Sequence, residues 1–121
     1  MTKTVLTIDD SRTMRDMLLL ALEDAGYTVI QAVDGIDGLE TLAARGADVV
    51  ITDINMPRMD GFGVIEGVRA DPNHRATPVL VLTTESDVEK KARARAAGAT
   101  GWIVKPFDPA KLVDAVRRVA A

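Results

Sequence analysis

Asp48-Val49-Val50-Ile51-Thr52-Asp53 is a short run, apolar at nearly every step, that ends on a carboxylate. A half-exposed strand would alternate apolar and polar residues. This one does not, so both of its faces are expected to be covered, as in a parallel sheet held between helix layers. Strand-length runs rich in Val, Ile and Leu recur outward from it, at Thr4–Ile8 and Thr28–Ala32 before it and at Pro78–Leu82 and Gly101–Val104 after it.

Helical spacing fills the gaps. Met14, Leu18, Ala21, Leu22 and Ala25 lie at i, i+4, i+7, i+8 and i+11, with Ser11 placed to cap the start and Gly26 to stop the end. Shorter stripes follow at Leu39 and Leu42, at Phe62, Ile65 and Val68, and at Leu112, Val116 and Val119, the last opened by Asp108-Pro109. A thin stripe of Val88, Ala92 and Ala96 is expected to be the buried side of a fourth helix. Five strands alternating with five helices predict an α/β fold with a doubly wound, five-stranded parallel sheet. The chain is read as one domain over residues 1–121, with no output domain, repeat or linker.

In such a sheet, ligands sit beyond the carboxyl ends of the strands. Asp9 and Asp10 follow the first strand, Asp53 the third, Thr83 the fourth and Lys105 the fifth. Taken alone, Asp9-Asp10 before a helix suits the helix dipole and Asp53 suits a turn. Three acids, a hydroxyl and an ammonium at one edge need a common explanation. Ionised together, the acids repel, and such a cluster shifts a pKa or recruits a cation. Oxygen ligands in this number favour Mg²⁺ with a phosphoryl oxygen over a Ca²⁺ cage. Lys105 supplies a compact positive charge and Thr83 a hydroxyl donor, which completes a pocket for phosphoryl transfer.

Composition limits the alternatives. With no cysteine, disulfides and thiolate sites are excluded, and the chain suits the cytoplasm. A net charge of -3 and a pI near 5.1 argue against a broad nucleic-acid surface. No apolar run approaches the roughly eighteen residues of a membrane span, and no secretory leader opens the chain. A cytosolic monomer is expected, with no nucleic-acid or membrane partner.

The motifs Ile8-Asp9-Asp10, Asp53-Ile54-Asn55-Met56-Pro57-Arg58-Met59-Asp60-Gly61, Thr83-Thr84-Glu85 and Lys105-Pro106-Phe107 stand in that order at successive strand ends. With them the chain resembles, over essentially its whole length, the receiver domains of two-component response regulators, and most of all their single-domain chemotaxis members. The resemblance implies a flavodoxin-like fold with strand order 2-1-3-4-5. It makes Asp53 the phosphoacceptor for a histidine kinase, assisted by Lys105 and Thr83. It assigns Mg²⁺ to Asp10, Asp53 and the backbone carbonyl of Asn55, with Asp9 acting through water. Thr83 and Trp102 become a switch pair, although tyrosine is commoner than tryptophan in the chemotaxis members. Asn55 and Glu85 would tune dephosphorylation, and a cis Lys105-Pro106 bond is implied. The expected partner is a target such as a flagellar motor switch protein, bound through helix 4, strand 5 and helix 5.

Other residues receive blander readings. Lys90, Lys91, Arg93 and Arg95 make helix 4 basic, which ordinarily means a solvated face, although the implied readout surface turns it towards partner binding. Pro57, Asp60 and Gly61 are read as loop formers, with Gly61 at positive φ. His74 is read as an exposed loop residue. Rival functions are a phosphate sink or non-chemotactic stand-alone receiver, a Mg²⁺-dependent aspartyl phosphatase and a flavin module. The phosphatase would want an acid where Asn55 stands, and a flavin phosphate would be repelled by Asp9-Asp10.

Overall fold

The computed structural model describes residues 2–120. Its elements alternate strictly: β1 (Thr4–Ile8), α1 (Arg12–Asp24), β2 (Thr28–Ala32), α2 (Gly35–Arg45), β3 (Val49–Thr52), α3 (Gly61–Ala70), β4 (Val79–Thr83), α4 (Val88–Ala97), β5 (Gly101–Val104) and α5 (Pro109–Val119). The five strands form one parallel sheet in the order β2-β1-β3-β4-β5, as the resemblance implied. Three strand limits move by one residue, since β3 begins at Val49 rather than Asp48 and β4 runs Val79–Thr83 rather than Pro78–Leu82.

Successive residues of a strand point to opposite faces, and the sheet uses this to build two cores. Leu6, Ile8, Val50, Val79 and Val81 pack with Phe62, Val64, Ile65 and Val68 of α3 and Leu42 of α2. Val5, Val49, Ile51, Leu80 and Leu82 pack with Leu18 and Leu22 of α1 and Leu112 and Val116 of α5. Strands that are apolar on both faces are therefore covered on both faces. The predicted stripes of α1, α3 and α5 point inward, with Leu18, Leu22, Phe62, Ile65, Val68, Leu112 and Val116 all buried.

Caps fix where the helices start, and hence how the loops above the sheet are aimed. Ser11, Asp34, Asp60, Asp87 and Asp108 each accept a hydrogen bond from a backbone N–H in the first turn of α1 to α5 respectively. Asp60, read from sequence as a loop former, is thus the N-cap of α3.

Two expectations fail. The α4 stripe of Val88, Ala92 and Ala96 is exposed, Val88 at 79%, and the buried contact is Ala94. In a helix whose apolar residues are nearly all alanine, side-chain bulk does not mark the inner face, and packing against α3 and the core selects it. Gly61 is not at positive φ. The left-handed residue of that loop is Arg58, at φ 66°. Gly61 is required instead for close approach, because a Cβ there would lie 2.2 Å from the Asp53 carbonyl oxygen.

Candidate functional site

Register builds the site. Ile8 pairs with Thr52, so the residues that follow them, Asp9 and Asp53, emerge side by side. Thr83 pairs with Val104, and Lys105 leaves β5 with its N–H donating to the Thr83 carbonyl at 2.8 Å. The order β1-β3-β4-β5 puts β5 two strand spacings from β3, about 10 Å. A long lysine crosses that gap over the top of β4 where a short side chain would not. Its Nζ donates to Asp53 Oδ2 at 2.9 Å and to Asp9 Oδ2 at 2.8 Å. The Lys105-Pro106 bond is cis.

The other oxygens of these acids are held as well. Asp53 Oδ1 accepts the Ile54 N–H, and Asp9 Oδ1 accepts the Ser11 N–H, at 2.6 and 2.9 Å. Asp9 is buried and its carbonyl takes a guanidinium bond from Arg15 at 2.7 Å, while Asp10 is exposed. One oxygen each of Asp9, Asp10 and Asp53 lies within 4.8 Å of the others. That all-oxygen set fits a hard divalent cation completed by water and an outside oxygen. Asp9 and Asp53 each have one oxygen on Lys105 and the other on a backbone N–H, which leaves the exposed Asp10 the freest of the three to turn towards an ion. Burial alone would lower the pKa of Lys105, but the bonds to Asp9 and Asp53 outweigh it and hold the ammonium above the ordinary lysine value.

On the far side of Asp53, Glu85 ties several elements together. Its N–H donates to Thr83 Oγ1 at 3.3 Å, its carbonyl accepts the Trp102 indole N–H at 3.0 Å, and its Oε1 accepts from Asn55 Nδ2 at 3.0 Å. Lys90 Nζ of α4 pairs with the same oxygen at 3.0 Å. The bonds from Asn55 and then Lys90 hold the Glu85 carboxyl below its usual range. Thr83 is fully buried and Trp102 half-buried against the α3 side of the core. All eight residues singled out from sequence, Asp9, Asp10, Asp53, Asn55, Thr83, Glu85, Trp102 and Lys105, thus surround one end of the sheet.

Sequence reasoning missed three participants. Arg15 is an ordinary polar position of α1, Lys90 is one of several basic residues of α4, and Arg58 is one position within a longer loop motif. Arg58 makes a forked pair with Asp34, Nε to Oδ2 at 2.7 Å and Nη2 to Oδ1 at 3.0 Å. The Asp34 carboxyl is held below its usual range, chiefly by Arg58 and then by the Asp37 N–H. The signal for this pair was the Asp34-Gly35 cap before α2.

A family model described as the response regulator receiver domain matches residues 5–117. The chain belongs to that family. Receivers similar to it include chemotaxis protein CheY-3 of Vibrio cholerae, 38% identical over 95% of this chain and 89% of that one. The structure of Vibrio cholerae CheY4 superposes with a TM-score of 0.94 at 44% identity, covering 98% of this chain and 99% of that one. The DNA-binding dual master transcriptional regulator RpaA of Synechocystis is 36% identical over 93% of this receiver. The chain spans about half the length of RpaA and of ycf27 from Guillardia theta, 47% and 44%. Among the described residues, no helix is long and apolar enough to cross a membrane.

Proposed function

We propose that this receiver is a stand-alone, cytoplasmic phosphoacceptor that takes a phosphoryl group from a histidine kinase onto Asp53 and thereby changes its affinity for a partner protein, in chemotaxis through control of the flagellar motor. The observation that carries the reading is the fork of Lys105 onto Asp53 and Asp9 beside the exposed Asp10. A carboxylate used only to cap or turn the chain has no need of an ammonium brought across a neighbouring strand.

In the proposed reaction, a free lone pair of the Asp53 carboxylate attacks phosphorus in line. The P–N bond to the donor imidazole breaks, and the imidazole leaves with its electron pair. Lys105 stays at the Asp53 oxygen and offsets charge on the phosphoryl group. Asp10, Asp53 and the Asn55 carbonyl would hold Mg²⁺, with Asp9 acting through water, and the ion would supply further charge neutralisation. Thr83 turns its hydroxyl from Glu85 N–H towards the phosphoryl oxygens, and the lost bond loosens the loop that carries Glu85. Trp102 and Lys90, both bonded to Glu85, pass that change to β5 and α4. The basic, alanine-rich outer surface of α4 with β5 and α5 then presents the partner face. The bond between Asn55 and Glu85 supports a role for both in tuning dephosphorylation, as polar groups that orient attacking water.

Incubation with Mg²⁺ and acetyl phosphate, followed by intact mass, tests the reading. Wild type gains one phosphoryl group and Asp53→Asn gains none; a wild type that stays unmodified overturns it. Similarity to RpaA and ycf27 supports a second reading, the receiver of a longer transcription regulator. Similarity to CheY-3 along 89% of its length supports the chemotactic one. Co-precipitation with a motor switch protein that depends on phosphorylation separates them, and a phosphate sink shows no such partner.

A further inference from the structure

The β3–α3 loop carries Asp53 at its start, and its shape is closed at the base. Gly61 N–H donates to the Ile54 carbonyl at 2.9 Å, and the Cα of Gly61 sits against the Asp53 carbonyl too closely for any side chain. The far side of the loop is attached elsewhere. Arg58 reaches the β2–α2 junction, where its guanidinium grips both oxygens of Asp34. Met59 lies directly on Gly35, whose Cβ, if present, would fall 2.6 Å from the Met59 carbonyl oxygen. Residues 58–59 are therefore seated on residues 34–35.

That seat is firm. Asp34 is 5% exposed, caps α2 by accepting the Asp37 N–H at 2.8 Å, and follows a strand in register with β1. The Asp9 N–H donates to the Ala32 carbonyl at 3.1 Å, so the junction that holds Arg58 is bonded to the segment bearing Asp9 and Asp10. Arg58 adopts φ 66°, a conformation that residues with a Cβ rarely take, and does so while making a fork that lysine cannot copy. A backbone conformation of this kind persists where surrounding contacts over-determine it.

We propose that Arg58 is a positioning residue: through its fork on Asp34 it holds the β3–α3 loop, which carries Asn55, against the β2–α2 junction, and so sets the affinity of the site for a divalent cation. This rests on the metal assignment in the proposed function. Without the fork the loop keeps its base, because the Gly61 contact remains, but its span from Asn55 to Met59 is free to drift away from Asp10.

Three variants test it, read by calorimetric titration of Mg²⁺ into the protein without phosphodonor and by thermal unfolding without metal. Arg58→Gly removes the fork and relaxes the positive φ. Arg58→Lys keeps the charge and loses the fork. Asp34→Asn keeps an N-cap and loses the anion. Each is expected to weaken Mg²⁺ binding about tenfold, the low end of the effect of groups that orient metal ligands. Arg58→Gly combined with Asp34→Asn is expected to lose no more than either alone. Unfolding serves as the control: relief of the positive φ keeps Arg58→Gly near wild type in Tm while its Mg²⁺ affinity falls, a split that a purely structural tie does not produce. Wild-type Mg²⁺ affinity in Arg58→Gly, or losses that add in the double variant, overturns the proposal and leaves the phosphoacceptor reading intact. A wild type that binds no Mg²⁺ overturns both.

Discussion

The Trp102 indole N–H donates to the main-chain carbonyl of Glu85 at 3.0 Å, joining β5 to the loop after β4. The bond involves the backbone of Glu85, so it survives loss of that residue's side chain but not loss of the indole nitrogen. Trp102→Phe removes the donor and leaves a half-buried carbonyl to find water. It is expected to lower unfolding free energy by about 1–2 kcal/mol, from one hydrogen bond and some ring contact, measured by urea denaturation followed by circular dichroism. Glu85→Ala serves as the contrast: the emission maximum of Trp102, the only tryptophan, should stay where it is in wild type. A red shift in Glu85→Ala would show that the side chain, and not the carbonyl, fixes the ring.

Stability should fall in acid partly through Asp34. Its folded pKa is depressed by Arg58, by the Asp37 N–H and against the opposing effect of burial. A depressed carboxyl contributes stability that is present above the ordinary aspartate value, near 3.8, and is lost as pH falls through the lower folded value. Asp34→Asn retains the cap and lacks the titration. Its Tm is expected below wild type at pH 7, with the gap closing as pH drops from about 4 towards 2. A gap that stays constant across that range would mean that the fork contributes no pH dependence.

Thr7 presents the opposite case, a polar group with nothing to bond. Its side chain is fully buried in the middle of β1, and its hydroxyl has no hydrogen-bond partner among the described residues. Valine matches its shape and removes the unmet desolvation. Thr7→Val is expected to raise unfolding free energy by about 1 kcal/mol in urea titration. Destabilisation would indicate a water bonded to that hydroxyl.

What could be read from the sequence follows from where its chemistry lies. Asp9, Asp10, Asp53, Thr83 and Lys105 were legible because each stands at or just beyond the end of an apolar strand, and strand ends in a doubly wound sheet converge on one edge. Helix faces were legible where bulky residues mark them, as with Leu18 and Leu22 in α1 or Leu112 and Val116 in α5. They were not legible in α4, where alanines lie on several sides and packing against α3 and the core buries Ala94. Gly61 and Arg58 show a second limit. Glycine in a loop implies freedom in φ, yet here it answers to the Asp53 carbonyl, and the left-handed turn fell to an arginine that a carboxylate 24 residues earlier holds in place. Pairings that distant leave no periodic trace. The bonds that gather Thr83, Asn55, Lys90 and Trp102 onto Glu85 are of the same kind.

Lys105 has two roles that a single substitution should pull in opposite directions. Its ammonium lies 2.9 Å from Asp53 and 2.8 Å from Asp9, with its side chain only 10% exposed, so it occupies the charge balance that a divalent cation would also serve. Removing it leaves the acids less neutralised. A cation then meets a more negative cluster with no competing ammonium, and Mg²⁺ affinity is expected to rise in Lys105→Ala. Phosphoryl acceptance is expected to fall, because charge on the transferring group loses a fixed donor at the Asp53 oxygen; the loss of one such donor costs about a hundredfold or more in rate. Calorimetric Mg²⁺ titration and the rate of mass gain with acetyl phosphate at saturating Mg²⁺ measure the two effects separately. If both affinity and rate fell together, Lys105 would be acting mainly as a structural strut between β5 and β3. Divergence of the two is the signature of an ammonium placed to act on the group that Asp53 receives.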